Sequence, residues 1–376
     1  MNDEEIMNNQ LLHTPEGVRD IYGSEYKKKL RIESLLHEKI EAFGYEDIQT
    51  PTFEFFDVFS KEVGTTASKE LYKFFDKEGN TLVLRPDFTP SIARCAAKYF
   101  CDDDKPIRLT YSGSAFSNTS SLQGKLKETT QMGAELIGDD SVEADAEMIA
   151  LVCECLFHSG LSDFQISIGN IEYFKGLCEA AGLDDSVEYT LRDYISGKNY
   201  FAAEEMLESC NIDKEHSQKL LAVTDLYGQV DILDKAEEMA NNPRSKEAAK
   251  RLKELYKKLV GYGVEKYVFF DLGILSKYNY YTGIIFRAYT LGVGDCIVKG
   301  GRYDKLLAHF GKDAAAIGFV VLVDDLMSAM TRQGILIQED NKPVVLEYSE
   351  EDYDEKLKEA LRLRRINSSK VILTHK

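Results

Sequence analysis

The chain has 376 residues, of which 44% are hydrophobic and 29% are charged, and its formal net charge is −18. This length and composition are typical of a soluble globular protein with two or three domains. The acidic balance argues against broad nucleic-acid binding, because such proteins bind phosphates with a surplus of Lys and Arg, although a local basic patch is compatible with it. A small-molecule ligand or a protein partner is favoured.

The seven cysteines do not predict a disulfide framework, because their number is odd and their spacing is irregular. Cys153 and Cys155 are close in sequence, but no second pair completes a zinc site, so reduced thiols and no metal are expected. No apolar run approaches the roughly 18 residues that span a bilayer. The acidic N-terminus is unlike a signal or transit peptide, and we therefore expect a cytoplasmic protein without membrane association.

The first part of the chain combines helix and strand patterns. Apolar residues recur at helical spacing over 24–43, and Gly44 follows as a helix C-cap would. Asp140 and Glu143 are spaced like a capping box at the start of a helix over 141–157. The other predicted elements are strands over 45–50, 81–84, 107–111, 131–137 and 164–168, a helix over 89–99, and a flexible connection over 112–130.

The composition changes after Asn170. Residues 171–262 are charged and almost wholly helical in pattern, which predicts a helical insertion. After it we predict strands over 267–272 and 280–289, a hairpin in which Gly292-Val293-Gly294 turns into a strand over 296–298, and an apolar helix over 314–330.

These elements predict an α+β fold with a mostly antiparallel sheet flanked by helices, because strands and helices do not alternate as they do in a Rossmann fold. The chain carries no Walker loop and no dinucleotide fingerprint. A short β-α-β piece is predicted at the end, too small to be stable alone. The predicted parts are a disordered lead-in over 1–12, a core over 13–170 and 263–335, the insertion over 171–262, and the β-α-β remnant over 342–376.

The first cluster whose side chains suit ligand binding is Leu84 to Pro90, where a predicted strand ends and a helix begins. Asp87 can pair with an ammonium group, and Thr89 can add a hydrogen bond. Alternatively, Thr89 caps the helix and Asp87 favours its N-terminal dipole. Spacing alone favours this structural alternative.

Two further clusters have the same ambiguity. Strand alternation places Gln131, Gly133 and Glu135 on one face, which suits either a ligand on the sheet floor or a solvated strand face. Tyr280 and Tyr281, with the later Gly300 to Asp304 segment, can line an amino-acid pocket or serve as ordinary sheet aromatics.

Taken together, these clusters resemble the class II histidyl-tRNA synthetases over residues 13–330. The resemblance implies the class II core fold and, through motif 1, a homodimer. The matching segments are 13–23 at the family's opening, 44–51 at motif 1, 84–90 at the amino-acid loop, 116–135 at motif 2, 280–282 at the tyrosine motif, and 300–304 with the helix at 315–330 at the end of the core and motif 3. The histidine-binding residues that the resemblance implies are Asp87, Thr89, Gln131, Glu135, Tyr280, Tyr281 and Tyr303.

The chain departs from the synthetases where they place the arginines that act on ATP and the aminoacyl phosphate. Ser117, Ser120, Ser276 and Asp325 stand at those positions. Loss of one preorganised charge stabiliser costs about 2–4 kcal/mol of transition-state energy, and Asp325 would set a carboxylate beside a triphosphate. The resemblance therefore implies amino-acid recognition without adenylation, with no catalytic residue and no cofactor.

That combination, with a short tail in place of an anticodon-binding domain, resembles the regulatory subunits of ATP phosphoribosyltransferase. The resemblance implies a homodimer within a hetero-oligomer that contains the short catalytic subunit of this first enzyme of histidine biosynthesis. L-histidine would be the feedback ligand, and no tRNA would bind. Two alternatives remain open: a free-standing histidine sensor with another partner, and an active histidyl-tRNA synthetase with unusual motifs.

Overall fold

The computed structural model of the protein describes residues 12–59, 66–101, 105–119, 126–275, 280–337, 343–367 and 370–376. They divide into two compact units. The larger unit contains the described residues up to Ile21 and those of Ile32–Leu336, and the smaller contains those of Tyr22–Arg31 and Ile337–Lys376.

Eleven α-helices lie in the described residues. They are α1 Gly23–Ala42, α2 Thr89–Tyr99, α3 Val142–Ser159, α4 Ile171–Ala180, α5 Asp185–Ser196, α6 Tyr200–Ser209, α7 Lys214–Ala222, α8 Ile232–Met239, α9 Pro243–Tyr262, α10 Val323–Arg332 and α11 Tyr353–Asn367. Six of them, α4 to α9, lie between Asn170 and Val268, and the two-residue strand Tyr227–Gly228 of the main sheet separates α7 from α8. No helix of the described segments is long and apolar enough to cross a membrane.

The strands are β1 Glu46–Asp47, β2 Phe53–Phe55, β3 Lys73–Phe75, β4 Thr81–Leu84, β5 Ile107–Phe116, β6 Glu128–Ile137, β7 Phe164–Asn170, β8 Tyr227–Gly228, β9 Val268–Asp271, β10 Ile284–Thr290, β11 Val298–Arg302, β12 Ala316–Leu322, β13 Val344–Tyr348 and β14 Val371–His375. The larger unit contains a nine-stranded sheet in the order β1-β5-β6-β12-β11-β10-β7-β9-β8 and a three-stranded sheet in the order β2-β4-β3. Only the β1–β5 and β7–β9 pairs of the large sheet are parallel, which confirms the predicted, mostly antiparallel α+β fold.

In the smaller unit β13 and β14 form a parallel pair, and α11 connects them. This is the predicted β-α-β piece.

The prediction of a helix over 314–330 was wrong in its first half. Ala316–Leu322 is strand β12, and helix α10 begins only at Val323. An apolar run without alternation suits a strand buried on both faces as well as a helix, and β12 is buried between its neighbours β6 and β11. Tertiary pairing therefore decided what the pattern left ambiguous.

Several other elements begin or end at residues that differ from the predicted ones. Strands β5 and β6 extend into the stretch that was predicted to be flexible, and the strand predicted over 280–289 begins at Ile284. Asp140 does not cap α3. Instead Ser141 is the N-cap, and its hydroxyl accepts a hydrogen bond from the Ala144 amide at 3.1 Å.

Helix α3 is joined to the sheet by a buried ion pair. Asp145 in its first turn accepts hydrogen bonds from Nε and Nη2 of Arg302 on β11, at 2.9 and 2.5 Å. Its other carboxylate oxygen accepts from Nε of Arg251 on α9 at 2.8 Å. One side chain thus connects α3, the sheet and the helical segment.

Candidate functional site

The candidate site is built around Glu135, near the middle of the large sheet. Alternation along β6 places Gln131, Gly133 and Glu135 on one face, and the Glu135 side chain is buried, with the residue 1% exposed. Its register partner on β12 is Gly318, where an added Cβ would overlap the Glu135 carboxyl group. Glycine at this position lets the carboxyl lie across the sheet.

Two hydroxyl groups hold the Glu135 carboxyl. Thr89 Oγ1 donates to Oε1 at 2.9 Å, and the Tyr303 hydroxyl donates to Oε2 at 2.5 Å. Burial raises the pKa of Glu135 to about 8 even though these hydrogen bonds lower it, and the nearby charge of Asp87 raises it further. The carboxyl group therefore holds a proton at neutral pH until a cationic partner arrives.

The structure bears on the structural alternative for Asp87 and Thr89, in which both residues serve the start of helix α2. Asp87 Oδ1 accepts the backbone N–H of Thr89 at 3.1 Å, which places its charge at the start of α2. Thr89 does not cap this helix, since its hydroxyl donates to Glu135. Burial raises the pKa of Asp87, and the positive charge of Lys299 acts in the opposite direction.

Tyr280, Tyr281 and Tyr303 form an aromatic wall beside this carboxyl group. The rings of Tyr280 and Tyr281 are 4.5 Å apart between centroids, and those of Tyr280 and Tyr303 are 6.2 Å apart, edge to face. Gly301 makes room for Tyr281, because an added Cβ would lie 2.7 Å from its ring. The three tyrosines therefore come together at one place with an apolar surface and polar tips.

Two aromatic residues of the site were not predicted. Tyr111 on β5 stacks on Phe88 with centroids 4.4 Å apart, and an added Cβ on Gly133 would overlap the Tyr111 hydroxyl. Burial, together with the charges of Glu135 and Asp87, raises the pKa of Tyr111. Strand alternation could place Tyr111 on some face of the sheet, but only the β5–β6 register places it beside Glu135.

Gln131 lies at the outer end of the site, where the sheet face opens into a cleft of about 2480 Å³. Among the described residues, its Oε1 is buried without a hydrogen-bond partner. A buried amide oxygen of this kind costs free energy unless another group donates to it. It is therefore suited to an N–H donor of a ligand.

Two of the four positions at which the resemblance predicts a lost arginine line the same cleft. Ser117 follows β5, and Asp325 stands in the first turn of α10. The neighbouring Asp324 accepts the Thr130 amide at 2.6 Å. Ser120 and Ser276 lie outside the described residues. The described lining contains seven carboxylates and five Lys or Arg side chains, a balance that disfavours a polyphosphate.

The chain matches the histidyl-tRNA synthetase family over residues 17–326. A relative from Acetivibrio thermocellus, named ATP phosphoribosyltransferase regulatory subunit, is 40% identical over 90% of this chain and 81% of its own length.

Two solved structures are similar over 97% of this chain. The first, of an ATP phosphoribosyltransferase regulatory subunit/histidyl-tRNA synthetase from Bacillus halodurans, is 34% identical with a TM-score of 0.87, and 93% of it is covered. The second, a histidyl-tRNA synthetase from Nostoc sp. PCC 7120, is 22% identical with a TM-score of 0.80 over 86% of its length. At this lower identity the similarity shows the fold alone.

Proposed function

Since the chain belongs to the family of ATP phosphoribosyltransferase regulatory subunits, which share the histidyl-tRNA synthetase fold, we propose that it binds L-histidine around Glu135 and transmits this binding to a catalytic phosphoribosyltransferase subunit. The observation that carries the proposal is the hydrogen-bonded set of Thr89, Glu135 and Tyr303 beside a cleft with an excess of carboxylates. Amino-acid recognition is supported, whereas binding of ATP is disfavoured.

The arrangement of polar groups suggests how histidine would lie. Glu135 is more buried than Asp87, the other carboxyl group of the site, and stands beside tyrosines, so it suits the imidazole ring, which is flat and carries a proton that can be shared. Asp87 and the unpartnered oxygen of Gln131 suit the ammonium group. No step of this proposal requires a metal or a cofactor.

Reconstitution with a short catalytic phosphoribosyltransferase subunit tests this function. We expect the pair to co-purify, the catalytic activity to depend on this chain, and added L-histidine to reduce that activity. Allosteric coupling of this kind is typically about 1–3 kcal/mol, or roughly 5- to 150-fold. The rate of phosphoribosyl transfer with and without histidine is the measurement.

Two outcomes would favour the alternatives. If histidine binds but the catalytic subunit neither co-purifies nor responds, a free-standing sensor is supported. Robust ATP–pyrophosphate exchange with histidine would instead indicate an active synthetase, since that exchange requires the adenylation that the replacements at Ser117 and Asp325 disfavour.

The homodimer that we also propose has a candidate surface on the three-stranded sheet. Phe53 and Phe55 of β2 share a face with Phe74 of β3, and the Phe53 and Phe74 rings meet edge to face at 5.8 Å. Phe53 and Phe55 are 53% and 56% exposed in the single chain. This sheet follows directly after residues 44–51, the segment that resembles the dimer-forming motif 1.

We expect the double substitution Phe53→Asp/Phe55→Asp to convert the dimer into monomers, because it would place two charges in a buried apolar contact. Light scattering after size-exclusion chromatography measures the mass. Phe75→Asp is the matched control, since Phe75 is exposed on the opposite face of the same sheet. If Phe53→Asp/Phe55→Asp remains a dimer while Phe75→Asp becomes a monomer, the interface lies on the opposite face of this sheet and not at Phe53 and Phe55.

A further inference from the structure

An α-amino acid presents a carboxylate one carbon away from its ammonium group, and this carboxylate needs a partner. The synthetase-like arginine that would serve it is replaced by Ser276, so a different cation is required if histidine binds as a zwitterion. The candidates are the Lys and Arg side chains on the sheet face that carries Glu135.

Lys299 on β11 meets the geometric requirement. Its register partner is Val320 of β12, whose partner in turn is Gly133 of β6, so Lys299 and Gly133 lie in one row on the face that carries Glu135. Two strand spacings separate their Cα atoms, roughly 9–10 Å. A lysine side chain and a bound amino acid can together bridge that distance.

The positive charge of Lys299 acts on the proposed ammonium site at Asp87, and Lys299 also lines the cleft. Within the described part of the chain, Lys299 has no ion-pair partner. The Asp87 carboxylate and the Lys299 ammonium group together complement the ammonium and carboxylate groups of a zwitterion.

Arg287 adds to the positive charge at this point. It is the cross-strand partner of Lys299, and like charges directly opposite each other in a sheet are destabilising unless an anion lies close. Arg287 interacts electrostatically with Asp271 and Tyr289, whereas Lys299 interacts with Asp87. Of these two cations, Lys299 is therefore the one whose charge acts on Asp87, the proposed ammonium site.

We propose that Lys299 binds the α-carboxylate of the amino-acid ligand and so replaces the missing arginine. The ligand class is a zwitterionic α-amino acid, since the acidic balance of the cleft disfavours a polyanion. This inference rests on the proposed histidine-binding function and names the residue that distinguishes an amino acid from an amine.

Calorimetry with two ligands tests the inference. Histamine is histidine without its carboxylate, so Lys299→Ala should weaken L-histidine binding roughly 10- to 100-fold, as expected for a lost charge-assisted hydrogen bond, while histamine changes less than about twofold. Lys299→Arg should restore much of the histidine affinity. Lys257→Ala, an exposed lysine on α9, is the control with the same change of charge and should leave both ligands unaffected.

The outcomes separate the two proposals. An equal loss for both ligands, or an unchanged histidine affinity in Lys299→Ala, overturns the role of Lys299 and leaves histidine binding intact. Absence of histidine binding to the unsubstituted protein overturns both. If histamine binds too weakly to measure, loss of histidine affinity in Lys299→Ala and its recovery in Lys299→Arg support the inference, and failure of that recovery overturns it.

Discussion

Glu135→Gln is expected to weaken L-histidine binding roughly 10- to 100-fold, because it removes the one carboxyl that can form a charge-assisted hydrogen bond with the imidazole. Glutamine keeps nearly the same shape and can still accept a hydrogen bond from Thr89 or Tyr303, so the pocket itself should persist. Isothermal titration calorimetry at neutral pH measures the change.

Glu128→Gln is the matched control for this substitution. Glu128 lies on the same strand but on the opposite face, where it is exposed. It should leave the affinity unchanged. Equal affinity of Glu135→Gln and the unsubstituted protein would show that histidine binds elsewhere or does not bind.

The pH dependence of binding gives a second readout of the same residue. Burial raises the pKa of Glu135 to about 8, whereas a free imidazole loses its proton near pH 6.5. Between these values the separate partners hold one proton, which the bound pair can share. Below about pH 6.5 the imidazole and Glu135 are both protonated, so binding must release one proton. Above about pH 8 both groups lack a proton, so binding must take one up. The affinity should therefore be highest between these two pH values.

The ratio of the dissociation constants of Glu135→Gln and the unsubstituted protein isolates this contribution. It should fall as the pH rises through about 8, the pKa of Glu135 in the folded chain, because the unsubstituted protein then loses its shared proton. Titration of the ligand's own ammonium group affects both proteins and cancels in the ratio. A ratio that does not change with pH would contradict a protonated Glu135.

Folding stability follows the same linkage. The folded pKa of Glu135 lies above the ordinary value of 4.5, so its contribution to stability is fully present below that value and is lost as the pH rises toward about 8. Without ligand, the unsubstituted protein should lose stability relative to Glu135→Gln across this range. Thermal unfolding of the two proteins also verifies that the variant folds.

Asp145→Ala is expected to lower the free energy of unfolding by about 3–5 kcal/mol, the usual cost of removing one partner from a buried ion pair. The Asp145 side chain is 0% exposed and that of Arg302 is 3% exposed, so the substitution leaves the buried guanidinium group with the partly exposed Asp304 as its remaining ion-pair partner. Arg251 loses the same partner, which loosens α9 as well as the sheet. Urea unfolding monitored by circular dichroism measures the change.

Glu143→Ala supplies the comparison within the same helix turn. Glu143 pairs with Lys258 at 2.6 Å, but both side chains are largely exposed, so solvent screens the pair and stability should hardly change. Replacing Asp145 and Arg302 together by Leu and Met should cost less than Asp145→Ala, because the buried Arg302 charge is then removed together with its buried partner. Equal stabilities of Asp145→Ala and Glu143→Ala would contradict this role for the buried pair.

The sequence by itself determined the features that depend on local patterns and residue identities, namely the fold class and several of its elements. The predicted fold class was confirmed, as were helix α2 from Thr89 to Tyr99 and the strand from Thr81 to Leu84. The prediction that Ser117 and Asp325 stand where the synthetases have arginines also came from the sequence, through the resemblance to that family.

Tertiary structure alone decided which side chains meet. Thr89 donates to Glu135 across 46 residues of sequence, and Gly318 lies beside that carboxyl because of the β6–β12 register. The β11–β12 and β6–β12 registers together place Lys299 in the row of Gly133, and the same pairing makes Ala316–Leu322 a strand. Register depends on pairing between distant strands, and a shift by one residue would turn each side chain to the other face, so no local pattern could supply it.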